Sequence, residues 1–413
     1  MQLYLLALNP TDSVTEGFLP AARRLGLHVT MLTDQPSAHR AVYPDVEILE
    51  CDVRDVHAVI SRVSAHRAPD AVFSNSDHVQ TQTALAADYF DLPAKNWRSA
   101  LRAKDKAQMR RHLRAAAAAG GGCAPGTGED LLAGGTVRSV ELAPGQDPTT
   151  ARGVADLPYP CVVKPREGVA SEDVFLVEDL RELGQRCKEI RARRPGAALV
   201  VEEYLPGDLY TLETLGDGRV LHTLGGFRTE LSPPPHFIEE RLSYVPAHST
   251  PVAEQVLAQL DALGVGFGAC HTEFVVHDGR ARIIEVNYRA VGDQCDLLLA
   301  ELLDVPYFEH VLRTHLGEPL PVDLGLRTGV AARLHYPCAD RAGTLASAPA
   351  AVELEDDGVK LTYRPLRAVG ERHELYRTNR DFLGVVRATG VDQGRVDRAV
   401  RAFLEGQHWE IAP

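Results

Sequence analysis

The stretch Cys270–Arg289 constrains this chain of 413 residues more than any other. Two apolar, β-branched runs flank His277-Asp278-Gly279 and read as a hairpin carrying Glu273, Glu285, Asn287 and Arg289. A three-residue loop with Gly279 left-handed would set Glu273 diagonally across from Glu285 on one face, roughly 7 Å apart. A tight two-residue Asp-Gly turn would shift the pairing by one residue and send the two carboxylates to opposite faces. A shared metal site therefore expects the bulged turn. Asn287 keeps the face of Glu285 in either case, because side chains alternate along a strand. Hard oxygen donors in an apolar hairpin favour Mg²⁺ shared with phosphates over zinc, which prefers His and Cys.

Hydrophobic period and chain breakers give the organisation around this hairpin. Residues 2–8 read as a strand, 12–25 as a helix opened by Thr11-Asp12-Ser13, and 27–33 as a second strand, with further strands at 46–50 and 70–73. That predicts an open parallel α/β sheet to about residue 94, with no Gly-x-Gly-x-x-Gly turn to support a nicotinamide site. Residues 115–128, rich in Ala and Gly, read as a low-complexity linker.

Three further segments carry charge at the ends of regular elements. Lys106 opens a charge-dense helical run, and Lys164 ends the β-branched strand Tyr159–Pro165. Between 198 and 213 an apolar strand runs into the acidic hinge Glu202-Glu203-Tyr204-Leu205 and then into another strand.

The order of these pieces, lysine helix, lysine strand, Glu-Glu-Tyr hinge, then Glu and Glu-x-Asn-x-Arg, resembles the ATP-grasp superfamily over nearly the whole chain. It looks most like the carboxylate–amine ligases of the L-amino-acid ligase type, including Gly329–His335 and Phe382–Gly390 in the tail. The resemblance implies a nucleotide held by Lys106 and Lys164, with the hinge Glu202, Glu203, Tyr204 and Leu205 meeting adenine through main-chain groups and a Glu side chain. It implies magnesium on Glu273, Glu285 and Asn287, as two ions replaceable by Mn²⁺. Arg289 and Lys164 would be catalytic, with Arg289 steadying the transferring phosphoryl group. Arg166–Ser171 would form a lid, with Gly168 and Ser171 donating to phosphates. In this chain the lid is flanked by Glu167, Glu172 and Asp173. Leu209 stands where the resemblance expects an acceptor for a ribose hydroxyl, so that hydroxyl either goes without a partner there or turns to Asp208 or another group.

The expected architecture is α/β: a pre-ATP-grasp unit over 1–95, a small lobe and connecting segment over 96–200, a catalytic lobe over 201–325, and an α+β region over 326–413. The expected function is ATP-dependent joining of a small carboxylate to a small amine through an acyl phosphate. The segment Thr223–Arg241 is the expected substrate wall, with Arg228 or Arg241 for a carboxylate and His236 or Glu239 for an amine. A carboxylase of the biotin carboxylase type is the alternative, although Ala290-Val-Gly-Asp293 departs from that family and no Met-Lys-Met attachment site is present. A nucleotide-binding regulator without turnover is a further alternative.

A net charge of −13 argues against nucleic acid and anionic membranes as partners, and no run reaches membrane-spanning length. Seven cysteines without metal-binding spacing suit free thiols in a reducing cytoplasm, with Cys270 as a small buried apolar group. Leu3–Leu8 is too short, and lacks the basic flank, for a signal peptide. A homodimer is compatible with all of this.

Overall fold

The computed structural model describes residues 1–119, 131–132 and 134–413, so the linker reading of 115–128 lies outside the described residues from 120 onward. Residues 115–119 finish the helix Lys106–Ala119.

Strands β1 (Gln2–Leu6), β2 (His28–Thr33), β3 (Glu47–Glu50) and β4 (Ala71–Phe73) form a parallel sheet in the order β3-β2-β1-β4. Every residue of β1 is buried, as a central parallel strand covered on both faces requires. The helix after β1 begins with a π-wound turn, Ser13–Phe18, before the α-helical Leu19–Arg24. Asn96 caps the helix Trp97–Lys104 by accepting from the Arg98 and Ser99 amides, and Asp105 separates it from Lys106–Ala119.

A second sheet is antiparallel: β5 (Ser139–Leu142), β6 (Cys161–Pro165), β7 (Phe175–Val177) and β8 (Leu199–Glu203), in the order β5-β8-β6-β7. Its core is closed by the helix Leu180–Arg193, which buries Leu183, Cys187 and Ile190.

The third sheet takes β9 (Asp208–Asp217), β10 (Leu221–Thr223), β11 (Gly226–Leu231), β12 (Glu239–Val245), β13 (Phe267–His277) and β14 (Arg280–Asn287). The chain then adds β15 (Ala331–His335), β16 (Gly343–Ser347), β17 (Val352–Asp356), β18 (Val359–Pro365), β19 (Arg372–His373), β20 (Gly384–Gly390) and β21 (Glu410–Ala412). Strand β12 pairs with β15, and the order β14-β13-β9-β11-β12-β15-β20-β18-β17 makes one continuous ten-stranded sheet, with β10 on β9. The C-terminal strands thus extend the sheet that bears the hairpin, and β16, β19 and β21 form a small separate sheet. No helix among the described residues is long and apolar enough to cross a membrane.

Candidate active site

The hairpin turn is the tight one. Asp278 and Gly279 both have positive φ, 49° and 72°, and His277 pairs with Arg280, as a two-residue Asp-Gly turn dictates. The sequence reading required a three-residue loop for the carboxylates to share a face, and that requirement is wrong. Glu273 pairs directly with Glu285 while Phe274 pairs with Ile283, so Ile284 is an extra residue in β14. This bulge reverses the alternation halfway along the strand and cancels the shift imposed by the turn.

One step along, His271 lies across from Asn287 on one side and from Glu213 of β9 on the other. Asn287 Nδ2 donates to Glu273 Oε1 at 3.5 Å. His271 Nδ1 meets Glu213 Oε1 at 2.7 Å and its Nε2 lies 3.5 Å from Glu273 Oε1. Burial alone would lower the His271 pKa, but the Glu213 carboxylate, helped by Glu273, outweighs it and pushes the pKa up to about 10. The imidazole is therefore a cation at neutral pH.

The two lysines reach the same place from different sheets. Lys106, 4% exposed, has its Nζ 2.9 Å from Glu285 Oε1. It opens its helix as expected, but a charge-dense run would ordinarily be exposed; its backbone N–H donates to Arg166 O, which draws the first turn beneath the β6–β7 loop. Lys164 Nζ lies 2.8 Å from Glu202 Oε2, and Arg110 holds the same carboxylate with two nitrogens, at 2.7 and 3.1 Å. Burial depresses the Lys164 ammonium despite Glu202, whereas Glu285 keeps Lys106 raised against the same penalty. The Glu202 carboxylate is thus held by Lys164 and Arg110, while Glu202 still lines the cavity. Glu203 accepts the Arg138 N–H at 2.9 Å; Tyr204 and Leu205 line the cavity beside it.

Lys106, Arg110, Lys164, Glu202, His271, Glu273, Glu285 and Asn287 line one cavity of about 650 Å³, together with Gly168, Ser171, Glu239 and Arg289. In the lid, Ala170 and Ser171 are left-handed, at φ 55° and 56°. Two of the three acidic residues there are paired, Glu172 with Arg194 and Arg380, and Asp173 with Arg193 and Arg194. Leu209 lines the cavity, while Asp208 pairs with Arg228 on the exposed side.

Of the four expected substrate residues, Glu239 alone lines the cavity. Arg228 lies opposite Tyr210, on the far face of the sheet from Thr211 and Leu209. A bulge pairs Leu231 with Glu239 but Glu230 with Arg241, so Glu240 is extra and Arg241 turns to the far face, where it meets Glu230 at 3.4 Å. His236 packs edge-on against Phe175, and its neighbour Phe237 is the residue that lines the cavity. Burial first, then the Glu273 charge, push the Glu239 carboxyl up to about 8.

The other end of the cavity is walled by Asn9–Val14 and Asn75–His78, loops at the carboxyl ends of β1 and β4, where open parallel sheets bind ligands. Asp293, Tyr336, Asn379 and Phe382 complete that end. The Arg289 Nη1 donates to Ala290 O at 2.8 Å, and no carboxylate among the described residues lies within ion-pair distance of it. Arg110 and His271 escaped the sequence reading although each had a signal: one helical turn beyond Lys106, and two residues before Glu273. Asn379 had none.

The donors suit Mg²⁺. Two carboxylates and an amide converge, and crowding of Glu239 against Glu273 is what a divalent cation would relieve. No group of three or more His, Cys, Asp or Glu set to hold a metal occurs among the described residues.

The family model "ATP-grasp domain" matches residues 157–297. Over its whole length the chain is 26% identical to the uncharacterized protein y4rH of Sinorhizobium fredii, covering 84% of that protein. It is 31% identical over 151 residues to the D-alanine–D-alanine ligase of Anaeromyxobacter sp., a match to 33% of this chain and to just under half, 46%, of the ligase. Among solved structures it is similar to the L-amino acid ligase from Bacillus licheniformis, with a TM-score of 0.77 and 20% identity over 100% of this chain and 99% of that one. A biotin carboxylase from Campylobacter jejuni follows the same fold, with a TM-score of 0.68 and 13% identity over 99% and 92% of the two chains.

Proposed function

The chain carries an ATP-grasp domain on an ATP-grasp fold, and from that premise we propose that it is an ATP-dependent carboxylate–amine ligase acting on small molecules, amino acids foremost. The observation that carries this reading is the meeting of Lys106, Lys164, Glu273, Glu285, Asn287 and Arg289 in one cavity, the Arg289 guanidinium having no carboxylate among the described residues within ion-pair distance.

A carboxylate has no leaving group at neutral pH, so it must first take the terminal phosphoryl group of ATP. Lys106 and Lys164 would hold phosphate oxygens as point charges, Lys106 exchanging Glu285 for them. Glu273, Glu285 and Asn287 would hold Mg²⁺, which when bound screens the phosphate charge. Arg289 offers two parallel N–H groups to the oxygens that gather charge as the carboxylate oxygen attacks the γ-phosphorus and ADP departs. The amine nitrogen then attacks the acyl carbon, phosphate leaves, and the nitrogen gives up a proton to form the amide. Glu239 and Asp293 face that end of the cavity and suit an ammonium group. The lid excludes water from the acyl phosphate. This reading places the reaction in the cytoplasm.

A phosphate-release screen over pairs of amino acids and small carboxylates, with and without bicarbonate and biotin, tests the reading. The expected products are ADP and phosphate, with ¹⁸O from labelled carboxylate in the phosphate. AMP and pyrophosphate, or unlabelled phosphate, would refute the acyl-phosphate route. Turnover that requires bicarbonate and biotin would make the enzyme a carboxylase, and MgATP binding without turnover would make it a regulator.

A further inference from the structure

Lys95 is a buried ammonium that the chemistry above does not use. It is 6% exposed, and among the described residues no carboxylate lies within ion-pair distance of it. Burial pulls its pKa down to about 7, against the opposing pull of Cys270 and Asp77. A charge-bearing group so placed costs stability unless its bonds are needed elsewhere.

Its bonds run to two walls of the cavity. Nζ donates to Tyr288 O at 2.5 Å and to Gln80 Oε1 at 2.7 Å. Gln80, 3% exposed, passes its own Nε2 to Ser74 O at 2.8 Å and Ser76 O at 3.0 Å, fixing the loop that follows β4. From that loop Asn75 Oδ1 accepts the Ala290 N–H at 3.1 Å. Arg289 therefore sits between two tethers, one on the residue before it and one on the residue after. Both tethers come from residues 75–95. Tyr288 is locked further, its hydroxyl accepting the Gly266 and Phe267 amides at 3.1 and 3.0 Å and its ring lying 4.7 Å from Lys95 Nζ. The fit is close: a Cβ on Gly268, whose φ is 68°, would stand 3.1 Å from Lys95 Cε.

We propose that Lys95 is a positioning residue for Arg289: with Gln80 and Asn75 it makes the N-terminal sheet a jig that sets where the guanidinium enters the cavity. This rests on the ligase reading for the task of Arg289, whereas the tether itself does not.

Lys95→Met keeps the volume and removes the donor. With a substrate pair that turns over, it should lower kcat by about 100-fold, the scale of a 1 Å misplacement, with the KM for ATP within about twofold. Arg289→Lys should lower kcat by itself, and the double variant should be no slower than Arg289→Lys alone, because Lys95 acts through Arg289. A kcat within about twofold of wild type, or penalties that multiply, would overturn the proposal. Should Lys95→Met not fold, Gln80→Met carries the same expectations. Hydrogen exchange provides the arm independent of turnover: the Ala290 amide should exchange faster in Lys95→Met than in the wild type, with the β1 and β2 amides unchanged. Unaltered exchange at Ala290 also overturns the proposal. A wild type without turnover for any pair sinks the ligase reading alone and leaves the tether to the exchange result.

Discussion

Replacing Glu202 by Gln tests the charge balance of the site most directly. Glu202 is 3% exposed and accepts from Arg110 twice and from Lys164 once. Burial by itself would raise its pKa, but the Arg110 and Lys164 cations more than reverse this and bring it from the ordinary 4.5 to about 2. At about 1.4 kcal/mol per pKa unit, that difference makes ionised Glu202 worth about 3 kcal/mol to the folded state at neutral pH. The sign follows from the depression: the contribution is complete above pH 4.5 and is lost as pH falls towards 2. Glu202→Gln should therefore unfold in urea about 3 kcal/mol more easily at pH 7, and by less than half of that at pH 3. Saturating MgATP should recover part of the loss at pH 7, since phosphate oxygens return negative charge to Lys164. A gap below about 0.5 kcal/mol at pH 7, or one that does not shrink on acidification, would refute the argument that these cations depend on Glu202.

Glu285→Gln should abolish Mg²⁺-dependent turnover and weaken Mn²⁺ binding read by paramagnetic resonance, with the far-ultraviolet dichroism unchanged; wild-type activity would end its assignment to the metal. Glu239→Gln should leave stability unchanged below pH 4.5 and raise it above pH 8, because the raised carboxyl ionises in the folded state only at a cost; urea unfolding at pH 4 and pH 9 decides. Arg380→Glu should make the lid cleave faster under limited proteolysis, whereas Arg380→Lys should stay near the wild-type rate; an unchanged rate in Arg380→Glu would show that the pair does not hold the lid.

What was legible followed local rules. The period-two alternation of β13 and β14 placed Glu273, Glu285 and Asn287 on a hairpin, and the apolar strands at the N-terminus announced the parallel sheet. What was illegible turned on single residues inserted into strands. Ile284 brings Glu285 back beside Glu273, and Glu240 sends Arg241 away from Glu239, yet neither differs in residue type from its neighbours. Turn chemistry fixed one register and the bulge changed it several residues later, which no window of sequence reveals. Lys106 was legible as a position but not as a buried group, because its partner lies 179 residues further on. Asn379 reaches the cavity only because β15 joins β12 and brings the C-terminal strands alongside.

That junction has a mechanical consequence. The strand ladder from β14 through β12 and β15 to β17 is unbroken, so Glu273, Glu285, Glu239 and the residues carried beside β20 ride on a single plate. Relative sliding of its two halves would break the β12–β15 ladder. Among the described residues, the β5-β8-β6-β7 sheet bearing Lys164 and Glu202 shares no ladder with that plate. The cavity is therefore built like a vice with one fixed jaw: Glu273, Glu285 and Glu239 keep their spacing on the plate, whereas the jaw that carries Lys164 and residues 166–171 is not bound to it by strand pairing.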